Sequence, residues 1–291
     1  MNIFNDLNPL VTVYIPTYNR VDLLERAVTS VLKQTYINLE IIIVDDCSID
    51  DTHDYLEELA KREKRVRYFI QEKNSGSCAS RNIAIKNAKG FFITGLDDDD
   101  YFEESRIEDF ISKWKKKSIN TKVLYSLYGR ENEKNPSKAK RIFKRMFFKK
   151  KVDSKDLLYF FYTGNQIFTE TKLLQDNLFD VSLPAWQDFE CFYRLLDNYD
   201  CNAELIYKKN YIVDTSHEYE RISTKGLYNI KKAFALFKEK HKLNNTESKL
   251  LYCHLYNYPD IKISKIIILR RFFYKASILD IKRLVNIKVA K

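Results

Sequence analysis

The sequence predicts an α/β fold: an open, mainly parallel sheet flanked by helices, with a helical extension at the C-terminal end. Three observations carry this. Within the first hundred residues, β-branched runs alternate with amphipathic helical stretches at βαβ spacing. The runs "LVTVYIP" and "LEIIIVDD" are apolar enough to be buried on both faces, as parallel strands are. After residue 118 the alternation breaks, and from Thr224 onward the pattern is mostly helical. The expected organisation is two halves of one domain, 1–118 and 119–223, and a helical region, 224–291.

The elements follow in order. "LVTVYIP" is a strand closed by Pro16. In "DLLERAVTSVLKQT", Leu23, Leu24, Ala27, Val28, Val31 and Leu32 form one helical stripe, and Asp22 is placed to cap it. "LEIIIVDD" is the second strand. "DDTHDYLEELAKRE" is a second amphipathic helix, with Asp50 and Asp51 at its start, and "VRYFIQE" is the third strand. "SGSCASRNIAIKNAKG" is a helix for which Gly90 offers a left-handed cap. "FFITGLD" is the fourth strand. In "RIEDFISKWKKK" a helix turns Ile107, Phe110, Ile111 and Trp114 inward. "VLYSLYGR" reads as a strand, and "SKDLLYFFYTGNQIFTETKLLQ" mixes both signals. "WQDFECFYRLLDN" is a helix with Phe189, Phe192, Leu195 and Leu196 spaced for burial.

In open parallel sheets, ligands bind beyond the carboxyl ends of the strands. That edge gathers Pro16 to Arg20, Asp45 and Asp46, Asn74 to Arg81, and the four consecutive aspartates Asp97 to Asp100. Adjacent carboxylates repel by roughly 1 kcal/mol per pair at about 4 Å in water. A chain of formal net charge +10 that gathers four of them has a solvated acidic turn there or a site for a cation. Asp45 and Asp46 can accept hydrogen bonds from a base or ribose. Arg81 can pair with phosphate, the helix N-terminus at Ser77 to Ser80 favours anions, and clustered aspartates suit a hard divalent cation. Together they suggest a nucleoside diphosphate.

The 291 residues, 45% of them apolar, suffice for one large domain or two small ones. No signal peptide and no apolar run of 18 residues is expected. Five widely spaced cysteines without a Cys-x-x-Cys pair fit free thiols in a reducing cytoplasm. Between Lys134 and Lys151 lie nine Lys or Arg and no acid, either a solvated surface or a face for an anionic partner.

Four stretches, "VTVYIPTYNRVDLLERAVTSVLKQTY", "LEIIIVDDCSIDDT", "NSGSCASRNIAIKNAKG" and "ITGLDDDDYF", follow one another as in family 2 glycosyltransferases of the GT-A fold, of the kind that build bacterial surface polysaccharides. The resemblance covers about the first 115 residues and returns at "WQDFECFYRLL" and "HEYERIS". It implies an inverting, metal-dependent transfer of a sugar from a UDP-sugar to a glycan acceptor. The acidic run resembles the family's Asp-x-Asp-Asp. By that resemblance Asp99 ligates Mn²⁺ or Mg²⁺, Asp97 lies near the ribose or metal, Asp98 is the variable middle and Asp100 is the last choice for a direct role. Pro16, Tyr18, Arg20, Asp45, Arg81, Asp97 and Asp98 would line the nucleotide site.

The same resemblance makes Asp188 the base that takes the acceptor's proton, with Gln187 where the family often has Glu. Capping of its helix is the rival role for Asp188, and Glu190 is the fallback base. Arg194 fits an internal salt bridge. Trp186 is either a sugar platform or core. His217 would be a metal ligand or phosphate contact, and Arg221, four residues on, would share that face.

The tail "KIIILRRFFYKASILDIKRL" is a core helix with snorkelling lysines or an amphipathic helix on an anionic membrane. The second reading suits a polyprenyl-diphosphate-linked acceptor and a cytoplasmic protein at the inner face of the membrane. Other classes fit less well. A nucleotidyltransferase would need a glycine-rich loop, which "PTYNR" lacks. A nucleic-acid binder would not gather four aspartates in its cleft. A donor binder without turnover is separable by substituting Asp188.

Overall fold

The computed structural model describes residues 8–130, 149–164, 166–216 and 227–257. His217, Arg221, the tail from Lys265 and the basic segment up to residue 148 lie outside the described residues.

The N-terminal half alternates as expected. Strand β1 (Val11–Thr17) is followed by α1 (Val21–Leu32), β2 (Leu39–Asp45), α2 (Thr52–Arg62), β3 (Val66–Ile70), α3 (Ser77–Asn87) and β4 (Phe92–Gly95). Every residue of β1 and β2 is buried, which explains their unbroken apolar runs. Helix α1 buries Leu24, Ala27, Val28 and Val31. Each of its larger apolar side chains contributes roughly 1.5–3 kcal/mol by leaving water.

The N-cap of α1 lies two residues earlier than the sequence suggested. Arg20 is the N-cap, and Asp22 lies in the first turn, where a negative charge meets the helix dipole. Of the two acids before α2, Asp50 does the capping. Its Oδ1 accepts from the Thr52 amide at 3.2 Å, whereas the N-cap Asp51 makes no such bond.

Gly90 is not a left-handed cap either, since positive φ among the described glycines is confined to Gly76 and Gly164. Glycine is needed at 90 because a Cβ there would meet the Thr12 amide nitrogen at 2.6 Å. Gly76, at φ 87, turns the chain into α3.

The second half completes the sheet. It comprises β5 (Tyr101–Phe102), α4 (Arg106–Trp114), β6 (Thr121–Arg130), β7 (Lys151–Val152), α5 (Ser154–Tyr159), β8 (Phe168–Glu170), α6 (Thr171–Gln175), α7 (Gln187–Asn198) and β9 (Asn202–Val213). Helices α8 (Leu227–Lys240) and α9 (Asn245–Tyr252) and a 3₁₀ turn (Cys253–Asn257) follow.

Among the described residues the strands form one sheet in the order β3-β2-β1-β4-β8-β6-β9-β5, with β7 on β9. Strands β3, β2, β1 and β4 are parallel, whereas β8 runs antiparallel to both β4 and β6. The mainly parallel sheet of the first half thus becomes mixed in the second, where the alternation in sequence also fails.

Two apolar clusters pack on the sheet. One joins α3, α5, α7 and the C-terminal helices through residues such as Ile85, Leu157, Phe192 and Phe237. The other joins α1, α2 and α4 through residues such as Val28, Leu56 and Phe110. All five cysteines are free thiols. Among the described residues no helix is long and apolar enough to cross a membrane.

Candidate active site

Strands β1, β2 and β4 run parallel, so Thr17, Asp45 and the acids after Gly95 emerge at one edge. The four aspartates there do different things. Asp97 Oδ1 accepts from Arg81 at 2.8 Å and from Gln166 Nε2 at 3.1 Å. Asp98 is buried and turns toward β1, accepting from the Thr17 hydroxyl at 2.9 Å and from Arg20 at 3.2 Å. Burial pushes its carboxyl up to about 7, against the pull of Arg20. Asp99 Oδ2 lies 3.5 Å from the same Arg20 nitrogen. Asp100 is buried and accepts from the Asp214 amide at 3.1 Å. Burial, then Asp97 and Asp99, raise it to about 8.

Carboxylate oxygens of Asp97, Asp99 and Asp100 lie within 4.8 Å of one another. Three hard oxygen donors this close suit Mg²⁺ or Mn²⁺. Asp100, the acid the sequence placed last, therefore belongs to the group that fits a cation, together with Asp97 and Asp99. Asp98 is turned out of it.

The base-side acids are structurally committed. Asp45 is fully buried, with Oδ2 bonded to the Ser48 amide at 3.0 Å and 2.8 Å from His53 Nε2, while Oδ1 takes the Ser48 hydroxyl. Asp46 Oδ1 accepts from the Ser75 amide and Oδ2 from the Gly76 amide, both at 2.7 Å. It thereby sets the loop that leads into α3. Pro16 is buried within β1, and Tyr18 is 42% exposed at the rim.

Arg81 lies on α3, one turn in, and is 7% exposed. Its NH2 donates to Asp97 and its NH1 sits 3.6 Å from Asp188 Oδ1. The guanidinium also stacks over Phe179, 5.5 Å from the ring centroid. Asp188 lies in the first turn of α7, whose N-cap is Trp186 in the left-handed conformation, φ 61. A non-glycine residue held there costs roughly 1–3 kcal/mol. Burial and Asp97 push the Asp188 carboxyl up to about 6 although Arg81 pulls it down. Its Oδ1 is buried without a hydrogen-bond partner.

Among its neighbours, Gln187 donates to the Leu183 carbonyl at 2.8 Å, and Trp186 packs edge-on against Phe189 and His254. Glu190 is fully buried and held by Arg194 at 2.8 Å and by His241 and Lys240, so it faces away from this cleft and is not free to act as a base. Arg194 is the internal salt-bridge residue expected.

Gln166 was not legible as a site residue. It is 2% exposed, donates to Asp97 and accepts from the Tyr14 hydroxyl at 3.2 Å. A polar residue just before a strand in an otherwise ambiguous stretch is the only signal it left.

Residues 12–178 match the family model described as glycosyl transferase family 2. The chain is 35% identical over 202 residues to WcaA of Escherichia coli (strain K12), named as a colanic acid biosynthesis glycosyl transferase, covering 66% of this chain and 68% of WcaA. It is 42% identical over 100 residues to TuaG of Bacillus subtilis (strain 168), named for teichuronic acid biosynthesis, covering 34% of this chain and 40% of TuaG. Among solved structures, S. aureus TarS 1-349 in complex with UDP-GlcNAc superposes with a TM-score of 0.67 at 20% identity, over 95% of this chain and 78% of that one. The mannosyltransferase PcManGT from Pyrobaculum calidifontis, in complex with GDP-Man and Mn²⁺, gives 0.60 at 16% identity, over 98% and 77%. These two structural likenesses speak to the fold.

Proposed function

The chain belongs to glycosyl transferase family 2, and on that premise we propose that it transfers a sugar from a UDP-sugar to a glycan acceptor with inversion. The pathway we infer is bacterial surface polysaccharide synthesis, the setting that the names of WcaA and TuaG indicate for those relatives. A UDP-linked donor is favoured by the UDP-GlcNAc complex of TarS. The acceptor we assign is a glycan carried on polyprenyl diphosphate at the cytoplasmic face of the membrane. Residues 1–118 would hold the donor and 119–223 the acceptor.

The observation that carries the reading is Asp188. Its buried Oδ1, without a hydrogen bond and 3.6 Å from the Arg81 guanidinium, lies across Arg81 from the acids that would face the diphosphate. In the reaction the acceptor hydroxyl oxygen attacks the anomeric carbon, its proton passes to the Asp188 carboxylate, and the sugar–phosphate bond breaks to release UDP. A carboxyl held near about 6 is charged at neutral pH yet basic enough to accept that proton in the transition state. Arg81 holds Asp188 and Asp97 in fixed relation, and Gln166 fixes the rotation of Asp97. Asp97, Asp99 and Asp100 would hold Mn²⁺ or Mg²⁺, which when bound would neutralise charge on the departing diphosphate.

The test is Asp188→Asn. Transfer should fall by about 10²–10⁴-fold, with UDP binding retained. Unchanged transfer would remove Asp188 from the mechanism.

A further inference from the structure

Resting on the cation site proposed above, we infer that Arg26 is a positioning residue for it, holding the turn that presents Asp99 and Asp100 without itself touching the ligand. Arg26 lies on α1, within the first of the four family-like stretches, but is not among the residues that the sequence marks for the site. Its NH2 donates to the main-chain carbonyl of Asp99 at 2.8 Å. Its NH1 donates to the carboxylate of Asp214, a residue just past the end of β9 and 1% exposed. The Asp214 amide in turn donates to Asp100 Oδ1 at 3.1 Å. One guanidinium thus grips the 99–100 peptide and, through Asp214, the side chain of Asp100. The ring of Tyr101, 5.3 Å from the Arg26 guanidinium carbon, covers it, and Ser216 completes the grip on Asp214, its amide and hydroxyl bonding Oδ1 at 2.7 and 2.6 Å.

The geometry brings α1, the acidic turn and the end of β9 to one point. The planar fork of an arginine donates to a carbonyl and a carboxylate in fixed directions, which the flexible ammonium of a lysine does not hold. Outer contacts of this kind typically change metal affinity 10–100-fold when removed.

The sign of the effect separates positioning from simple charge. Arg26 is itself a cation near a cation site. If it acted only through space, neutralising it would tighten metal binding, because a like charge would be gone. If it positions the acids, neutralising it weakens binding.

The experiment uses the full chain and titrates Mn²⁺ alone, following free Mn²⁺ by electron paramagnetic resonance, with circular dichroism to confirm folding. Arg26→Gln should weaken Mn²⁺ binding about 10–100-fold, and Arg26→Lys should recover only part of that. Should Arg26→Gln fail to fold, Arg26→Lys decides: it keeps the charge, so a loss of Mn²⁺ affinity there reports positioning, and wild-type affinity overturns the inference. Wild-type or tighter Mn²⁺ affinity in a folded variant overturns the inference. Asp99→Asn is the control: if it also leaves Mn²⁺ binding intact, the cation site itself is wrong, whereas loss in Asp99→Asn alone faults only the role of Arg26.

Discussion

The Arg81 guanidinium lies between two carboxylates, 2.8 Å from Asp97 and 3.6 Å from Asp188, and is nearly closed to water. It joins the side of the cleft proposed for the donor to the side proposed for the acceptor. Asp97 follows β4 and Asp188 opens α7, so no local sequence relation connects them. Removing Arg81 would leave two partly buried carboxylates facing each other without the cation between them. Breaking a buried pair in this way costs roughly 3–5 kcal/mol. Arg81→Gln should therefore lower stability by that order in urea denaturation and reduce transfer by at least about 10²-fold. Arg81→Lys should recover stability better than activity, because a point charge cannot serve two acids with one fork.

The pH dependence follows from the same trio. Asp188 must be ionised to accept a proton, and burial with Asp97 holds it near about 6. Transfer at saturating donor should fall as pH drops through about 6, with one proton taken up. A divalent cation close to Asp97 would offset the negative charge that raises Asp188, so the limb should lie at or below that value. Arg81 lowers the Asp188 pKa, so Arg81→Gln should move the limb upward. A limb that stays in place in Arg81→Gln assigns it to another group.

Much of this arrangement was legible in the sequence, and the rest was hidden for physical reasons. The inward faces of α1, α4 and α7 were readable because helical periodicity is a local property. The edge holding the acids followed from strand order alone. Gln166 was not readable, since it reaches Asp97 across 69 residues by way of an antiparallel β8 placed beside β4. Arg106 was hidden too. It is 1% exposed, caged by the rings of Phe102, Phe110 and Tyr211 and bonded to Ser126 and Asn210. A charged residue opening an amphipathic helix signals solvent until the partners from β6 and β9 are in place. Gly90 carried the right residue for a different reason, close approach to Thr12 instead of a left-handed turn.

Glu190 gives a stability prediction independent of catalysis. Burial raises its pKa, but hydrogen bonds from His241, Arg194 and Lys240 outweigh this and hold it down at about 2. The folded value lies below the ordinary glutamate value of 4.5, so its stabilising contribution is present above that pH and lost as pH falls toward 2. Glu190→Gln leaves Arg194 without its charge partner, while Lys240 keeps Asp180, and should cost about 3–5 kcal/mol at pH 7. The gap between variant and wild type in urea denaturation should narrow at pH 3. A gap that is constant from pH 7 to pH 3 would mean that packing, and not charge, accounts for the loss.

The neighbours Asp98 and Asp100 separate the two tasks within the acidic run. Asp100 contributes an oxygen to the three-carboxylate group, and Asp98 is spent on Thr17 and Arg20. Asp100→Asn removes a carboxylate that a bound cation would hold ionised, while keeping the shape of the side chain. It should weaken Mn²⁺-promoted UDP binding by roughly 10-fold or more, about 1.4 kcal/mol per decade. Asp98→Asn keeps all three oxygens and should leave Mn²⁺ affinity within about 3-fold, a difference of less than 1 kcal/mol. Its cost should fall on Arg20, which loses the charge of Asp98 at 3.2 Å and keeps that of Asp99 at 3.5 Å, so that UDP affinity drops at saturating Mn²⁺. Calorimetric titration of UDP at low and high Mn²⁺ distinguishes the two variants. If Asp98→Asn proves the one that excess Mn²⁺ rescues, the cation is held by the middle acid and the assignment of Asp100 to it is wrong.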